Sequence, residues 1–300
     1  MNEQFEGYKK HIKHKLQPLT IKTYTHNISQ FCNSLNGSLI SLNTVEYKTI
    51  IKYIGEKRKE VSASTLNTIL QSLKSYFDYL AQTNQRIDNP ARSIFLKDLK
   101  SRDIQTQDLF TPKELELLLS RKERYIMLKN RNLFIISLLI YQGLKTNEIK
   151  DLKINDIDFK EATIFIKEKK TTNSRTLKLN GNQVIYLMNY LTIERVKLLK
   201  KETNILFLSK LGNPENGEGI QYLLQSSRHL FETNDSIRRP RKLNPTTIRQ
   251  SVIFNLLNQG HDLRLVQVFV GHKTPTSTER YKHTHLEELK KQVLKFHPLQ

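Results

Sequence analysis

The stretch Leu243–His285, LNPTTIRQSVIFNLLNQGHDLRLVQVFVGHKTPTSTERYKHTH, divides into three helices on its punctuation alone. Asn244 is placed to cap a helix whose first position is Pro245, which runs to Asn258 with Gly260 as its stop signal. Asp262 caps the next, through Val270, and Gly271 ends it. Thr276 and Glu279 stand three apart as a capping box, which sets Tyr281 early in a third helix. Three helix ends then converge near Arg249, His272 and Tyr281. Arg249 reads as an unpaired arginine one turn inside a helix N-terminus, a position suited to an anion.

Those side chains fit a phosphodiester. Such a group needs charge on its non-bridging oxygens neutralised, a nucleophile in line with the leaving oxygen, and a proton donor for that oxygen. Arg offers a planar fork to two oxygens, His a directional donor, Tyr an oxygen nucleophile, and Lys a proton. Cations of this kind make a metal or other cofactor unnecessary, so none is expected. The bland alternatives are a packed aromatic at Tyr281, one of twelve tyrosines, a carboxylate partner for Arg249, and a capping role for His272.

Composition points the same way. Lys and Arg number 49 against 29 Asp and Glu, a net charge of +20 carried in both halves of the chain. A field of that sign favours a polyanion, because each phosphate neutralised releases condensed counterions. Nucleic acid is the leading partner, against the alternative that a Lys-rich genome inflates basic content everywhere. Cys32 is the only cysteine, which excludes an intrachain disulfide and a Cys-based zinc site and is compatible with a reducing cytoplasm. The N-terminus lacks a signal-peptide apolar run. The longest apolar stretch, Leu133 to Tyr141, is far short of the roughly 20 residues that span a bilayer, so no membrane association is expected.

Upstream, three amphipathic helices are predicted over Thr20–Leu35, Val45–Glu60 and Ser64–Ala81, the last capped by Ser64. They form an N-terminal helical domain over residues 1–100. A linker without an apolar face covers 101–108, and a second domain covers 109–300. Thr111-Pro112 opens that domain with a helix start, and Asn132 to Gln142, apolar on nearly every side, belongs at its centre. After Gly143, Thr146 or Asn147 caps a short helix through Leu152, which leaves Lys145 at a helix junction. Asp156–Lys167, with Ile157, Phe159, Ile164 and Ile166 about a turn at Lys160-Glu161, reads as a hairpin. Arg175–Leu179 adds a third strand. Helix resumes from Gln183 to about Lys201, and Gly212–Gly219 reads as a loop. The fold class is mainly α, with a small antiparallel sheet.

The chain resembles the tyrosine recombinase (phage integrase) family, closest in layout to its Xer-type members. Gly271-His272 with Tyr281 nine residues after the histidine is the strongest element, and the likeness covers nearly the whole length. LLIYQGLKTNEIKDLKINDID matches the first-arginine motif, IFIKEKKTTNSRTLKL the hairpin carrying the catalytic lysine, and NPA at Asn89–Ala91 the end of a SAM-like core-binding domain. The resemblance implies Tyr281 as nucleophile, Arg249 and His272 on the phosphate, and Lys169 as proton donor, with Lys170 the runner-up. It further implies a clamp on double-stranded DNA, a dimer per site and a tetramer in synapsis, in the cytoplasm at the nucleoid, in a site-specific recombinase or integrase that serves either chromosome dimer resolution or the integration or inversion of a mobile element.

Two positions depart from the pattern. Lys145 stands where the family has its first catalytic arginine, which keeps the charge and loses the fork. Thr246 stands where it has a histidine, and a hydroxyl is no base near neutral pH. Gln250, after Arg249, is a lesser change. The alternative reading is therefore a catalytically impaired DNA-binding protein on the same fold. The basic run Lys9–Lys15 and the group Arg238, Arg239, Arg241 and Lys242 either touch phosphates or lie solvated. Leu286–Phe296 carries an apolar stripe that packs on its own domain or, by resemblance, on a neighbouring protomer.

Overall fold

The computed structural model describes residues 2–35, 42, 44–97, 104, 106–231 and 241–281. Arg238, Arg239, the Leu286–Phe296 segment and part of the 101–108 linker lie outside the described residues. The chain divides into two compact units, Met1–Arg102 and Asp103–Gln300.

The first unit holds α1 (Asn2–Lys13), α2 (Pro18–Leu35), α3 (Tyr47–Lys57) and α4 (Ala63–Gln82). α4 buries the predicted stripe Leu66, Ile69, Leu70, Leu73, Phe77 and Leu80 and adds Tyr76 and Tyr79. Its cap is Ser62, whose hydroxyl accepts from the Thr65 amide at 3.3 Å. Ser64, predicted to cap, sits inside the first turn instead, because two serines two apart offer equal signals and the backbone leaves its extended conformation at the first. α2 packs Ile28, Phe31 and Cys32 into the same core, and Val45 enters it just ahead of α3. Asn89 ties the NPA turn to α4 by donating to the Lys74 carbonyl and Asp78 while accepting from the Ala91 amide.

The second unit is built around α6 (Lys129–Tyr141), buried from Leu133 to Ile140 as an all-round apolar helix must be. α5 (Pro112–Leu117) precedes it with the predicted Thr111 cap and reciprocal Glu114 bond. α7 (Thr146–Lys150) follows. Strands β1 (Ile157–Asp158), β2 (Thr163–Ile166) and β3 (Arg175–Lys178) form an antiparallel sheet in that order, Ile164 opposite both Ile157 and Leu177. Phe159 falls in the turn and is exposed rather than in the strand, since Asp158 draws the Lys160 and Glu161 amides into a tight bend.

α8 (Gly181–Asn189), a π-helical turn (Tyr190–Glu194) and α9 (Arg195–Leu198) run on as one rod. Glu194 accepts from the Asn130 and Arg131 amides and so caps α6 across the core. α10 (Gly217–Gln225) begins inside the stretch read as a loop, because Asn216 caps it from the Gly219 amide. α11 (Pro245–Asn258), α12 (Leu263–Val270) and α13 (Thr276–Glu279) complete the described fold. Among the described residues no helix is long and apolar enough to cross a membrane.

Candidate active site

Asn244 caps α11 as its sequence requires, accepting from the Thr247 amide at 2.9 Å, and Pro245 occupies the first turn. Arg249, in the second turn, is buried rather than unpaired. It donates to the Gly143 carbonyl at 2.7 Å and the Val270 carbonyl at 2.6 Å, the ends of α6 and α12. A cation suits those helix ends, where carbonyls lack intrahelical partners and the dipole is negative. Periodicity cannot show this contact, because the acceptors are backbone atoms over a hundred residues upstream and twenty-one downstream.

Gly143 and Gly271 make the approach possible. Both have positive φ, 59° and 72°. A Cβ on Gly271 would stand 2.5 Å from Arg175 Nη1 and 3.1 Å from the Asn173 carbonyl. The hairpin between β2 and β3 therefore lies against the α12 end: the Asn173 amide donates to the Gly271 carbonyl at 3.0 Å and Thr172 pairs with His272. Lys273 and Glu168 add an ion pair at 2.6 Å.

Glu148 is the buried centre of the site and was not singled out by sequence reasoning. Its carboxylate accepts two bonds from Arg175, at 2.9 and 3.0 Å, and one from the Lys145 amide at 2.8 Å, and it lies 3.8 Å from Arg249. Burial pushes its pKa up, but the Arg175 bonds and charge, the Lys145 amide and Arg249 outweigh that and hold it below the usual value. Its signal was the position three after Lys145, where a first-turn acid accepts from the cap amide. Arg175 had a weaker one: a charged residue leading an alternating strand. Lys145 is itself the cap residue of α7, which corrects the expectation of Thr146 or Asn147, and its amine reaches Thr171 Oγ1 at 3.4 Å.

These cations act on one another. Burial, then Arg249, lowers the Lys145 pKa, with Arg175 and Lys169 adding to the effect and Glu148 opposing it. Burial pushes Arg249 down to about 10 against the pull of Glu148. His272 falls to about 4, first by burial and then by Arg249, Lys145 and Arg175, so its imidazole is neutral at pH 7. Its Nδ1 lies 2.9 Å from Thr278 Oγ1; with the ring proton assigned to Nε2, Nδ1 accepts from the hydroxyl. Thr278, which the motif spacing places between His272 and Tyr281, is fully buried, and the fold adds its contact with the imidazole.

Tyr281 is 7% exposed and packs with Ile253, Val266 and Val270, so α11 and α12 fix its position. Burial raises its pKa, and Arg249 and Arg280 offset part of the rise. It lies just past the end of α13, whose first residue is Thr276. The capping box is absent: Pro275 precedes the helix and no side chain caps it, because proline already sets the turn. Lys169 donates to the Asn147 carbonyl and, at 2.5 Å, to Asp151, so its amine faces α7; Lys170 is exposed. Thr246 is exposed in the first turn of α11, and Gln250 is half-buried. The structure thus gathers Arg249, Lys145, His272 and Tyr281 about Glu148 and Arg175, with Lys169 at the rim. No group of three or more His, Cys, Asp or Glu among the described residues is placed to hold a metal ion.

Comparison with known proteins places this geometry in context. The family model described as Phage integrase family matches residues 108–288, and the Phage integrase N-terminal SAM-like domain matches residues 5–84. Tyrosine recombinase XerC of Anoxybacillus flavithermus is 28% identical over 296 residues, spanning 96% of this chain and 94% of the relative. XerC of Oceanobacillus iheyensis is 26% identical over 295 residues, spanning 96% and 92%. Among solved structures, the XerH site-specific recombinase bound to palindromic difH substrate superposes with a TM-score of 0.73 at 23% identity, covering 92% of this chain and 79% of that one. The Tn1549 transposon integrase in complex with transposon right end DNA gives 0.71 at 19% identity, covering 98% and 99%.

Proposed function

The chain belongs to the phage integrase family and is a tyrosine-type DNA strand transferase of site-specific recombination, and from that premise we propose the residues that carry the reaction. Tyr281 releases its phenol proton to water and attacks a phosphate held by Arg249, Lys145 and neutral His272. The P–O5′ bond breaks, a 3′-phosphotyrosyl link forms, and the 5′-hydroxyl takes its proton from the hairpin lysine, Lys169 or Lys170. A 5′-hydroxyl from a partner strand reverses the step, so the bond energy is conserved in the covalent link.

The observation that carries this reading is the clamping of Arg249 between the carbonyl ends of α6 and α12, close enough to Lys145 and His272 to lower the pKa of both. A single buried carboxylate, Glu148, faces these several cations, and a bound phosphate adds the further negative charge that they can hold. Lys145 keeps the charge of the expected arginine, and Thr246 leaves His272 as the imidazole of the site. The same cluster, with the similarity to curated recombinases, favours an active enzyme over an impaired binding protein.

Duplex DNA is the substrate, and each unit contributes a DNA-contacting surface, residues 1–100 as the core-binding domain and 109–300 as the catalytic domain. Two protomers occupy one site and four form the synapse, in the cytoplasm at the nucleoid. A nicked suicide duplex tests the chemistry. After SDS a protein–DNA adduct forms with wild type and not with Tyr281→Phe; no wild-type adduct on a verified binding site overturns the assignment. Relaxation of plasmids without site preference would favour a topoisomerase-like activity instead.

A further inference from the structure

His272 is held at every polar atom but one. Its amide donates to the Gln267 carbonyl at 3.0 Å, its own carbonyl accepts from the Gln267 side-chain amide at 3.1 Å, and its Nδ1 meets Thr278 Oγ1 at 2.9 Å. Among the described residues Nε2 has no partner, so it is the atom left for a ligand. Whether that atom carries a proton is decided by Thr278.

The Thr278 hydroxyl is fully buried, and Nδ1 is its only partner among the described residues. The imidazole is neutral at pH 7 and has one ring proton to place. With that proton on Nδ1, the ring donates to Oγ1 and the hydroxyl proton is left buried without an acceptor. With it on Nε2, the hydroxyl donates to Nδ1 and only spare lone pairs go unmet. A buried donor without a partner is rarer and costlier than an oxygen with a lone pair to spare. The geometry therefore selects the Nε2–H form, in which the unpartnered ring atom is a donor. A donor suits a phosphate oxygen, and a bare nitrogen there would repel it.

Thr278 also belongs to the turn that carries the nucleophile. Its carbonyl accepts from the Tyr281 amide at 3.1 Å, and its own amide donates to the Pro275 carbonyl at 2.8 Å. We propose that Thr278 is a positioning residue of strand transfer: its hydroxyl fixes His272 as an Nε2–H donor to the scissile phosphate, and its carbonyl ties that donor to the turn that places Tyr281. This rests on the strand-transfer reading above. Side-chain variants leave the carbonyl bond in place, so they report on the hydroxyl alone, and its effect on cleavage passes through His272.

The test reads the ring and the reaction separately. Nitrogen NMR shifts of the His272 ring in the full chain at pH 7, assigned by difference against His272→Ala, should show a protonated Nε2 and a bare Nδ1. In Thr278→Val, which keeps the shape and removes the hydroxyl, the two shifts should move toward each other as both tautomers populate. Thr278→Val should slow adduct formation on the nicked duplex about tenfold or more, within the roughly 10²–10³-fold cost of losing one donor outright, and Thr278→Ser should restore most of the rate. In the His272→Ala background Thr278→Val should add little, because the two residues act as one unit. A protonated Nδ1 in the wild type, an unchanged rate in Thr278→Val, or an undiminished slowing by Thr278→Val once His272 is gone overturns the positioning role and leaves strand transfer intact. Absence of a wild-type adduct on a verified binding site overturns strand transfer and the positioning role with it. The wild-type ring shifts, which need neither DNA nor a variant of Thr278, tell the two failures apart.

Discussion

Lys145 concentrates the departure of this chain from its family at one atom. Its amine carries the charge that an arginine would, but it titrates, and its burial beside Arg249 lowers its pKa. Adduct formation by the wild type should therefore decline on the alkaline side before that of Lys145→Arg, which should cleave at least as fast near pH 7. Lys145→Ala should slow cleavage about 10²–10³-fold, the usual effect of removing one charge-stabilising donor; wild-type rates in that variant would refute the role. His272 gives a second pH handle. Its folded pKa of about 4 lies below the ordinary 6.5, so the unfolded chain binds the extra proton between those values. Its contribution to stability is intact above pH 6.5 and lost progressively as pH falls toward 4. Urea midpoints measured across that window should fall with pH for the wild type and less steeply for His272→Ala.

At the scale of elements, the site depends on where helices stop. Gly271 ends α12 in a left-handed conformation and leaves room for Arg175, so one residue serves both the turn and the seat of a buried ion pair. Gly271→Ala should lower stability by about 2 kcal/mol or more, from the left-handed backbone and the overlap with Arg175 together. Gly260→Ala is the control: its φ of 88° is also positive, yet nothing lies within 4 Å of an added Cβ. Thermal melts should show a clearly smaller loss for it, and equal losses would mean that the Arg175 contact is unimportant. The sequence showed these ends through Gly, Pro and Asn because capping chemistry is local. It misplaced three caps, at Ser64, at Thr146 or Asn147, and at Thr276, where several capping residues lie within a turn and packing chooses among them.

For the molecule as a whole, charge is the governing quantity. A net +20 on 300 residues should make DNA binding steeply salt-dependent. Raising salt from about 50 to about 200 mM should weaken binding on the order of 10³-fold or more if about six phosphates are neutralised. Anisotropy titrations on a labelled duplex read this directly, and a flat response would argue against phosphate contacts as the source of affinity. The same excess explains why the active site needs Glu148. Without a buried carboxylate to accept from Arg175 and face Arg249, three neighbouring cations would repel one another in a poorly solvated interior.

The sequence by itself determined the mainly helical fold, the apolar centre at α6, the three-stranded sheet and the candidate residues Arg249, His272, Tyr281 and Lys145, since each follows from periodicity, caps and motif spacing. Tertiary structure alone decided what those residues touch. Arg249 meets the carbonyls of Gly143 and Val270, Glu148 collects Arg175 and the Lys145 amide, Thr278 sets His272, and Lys169 turns to Asp151. These partners are backbone atoms or side chains brought in from other elements of the chain. Their pairing is fixed by packing around α6 and by the room that Gly143 and Gly271 leave, which no local pattern records.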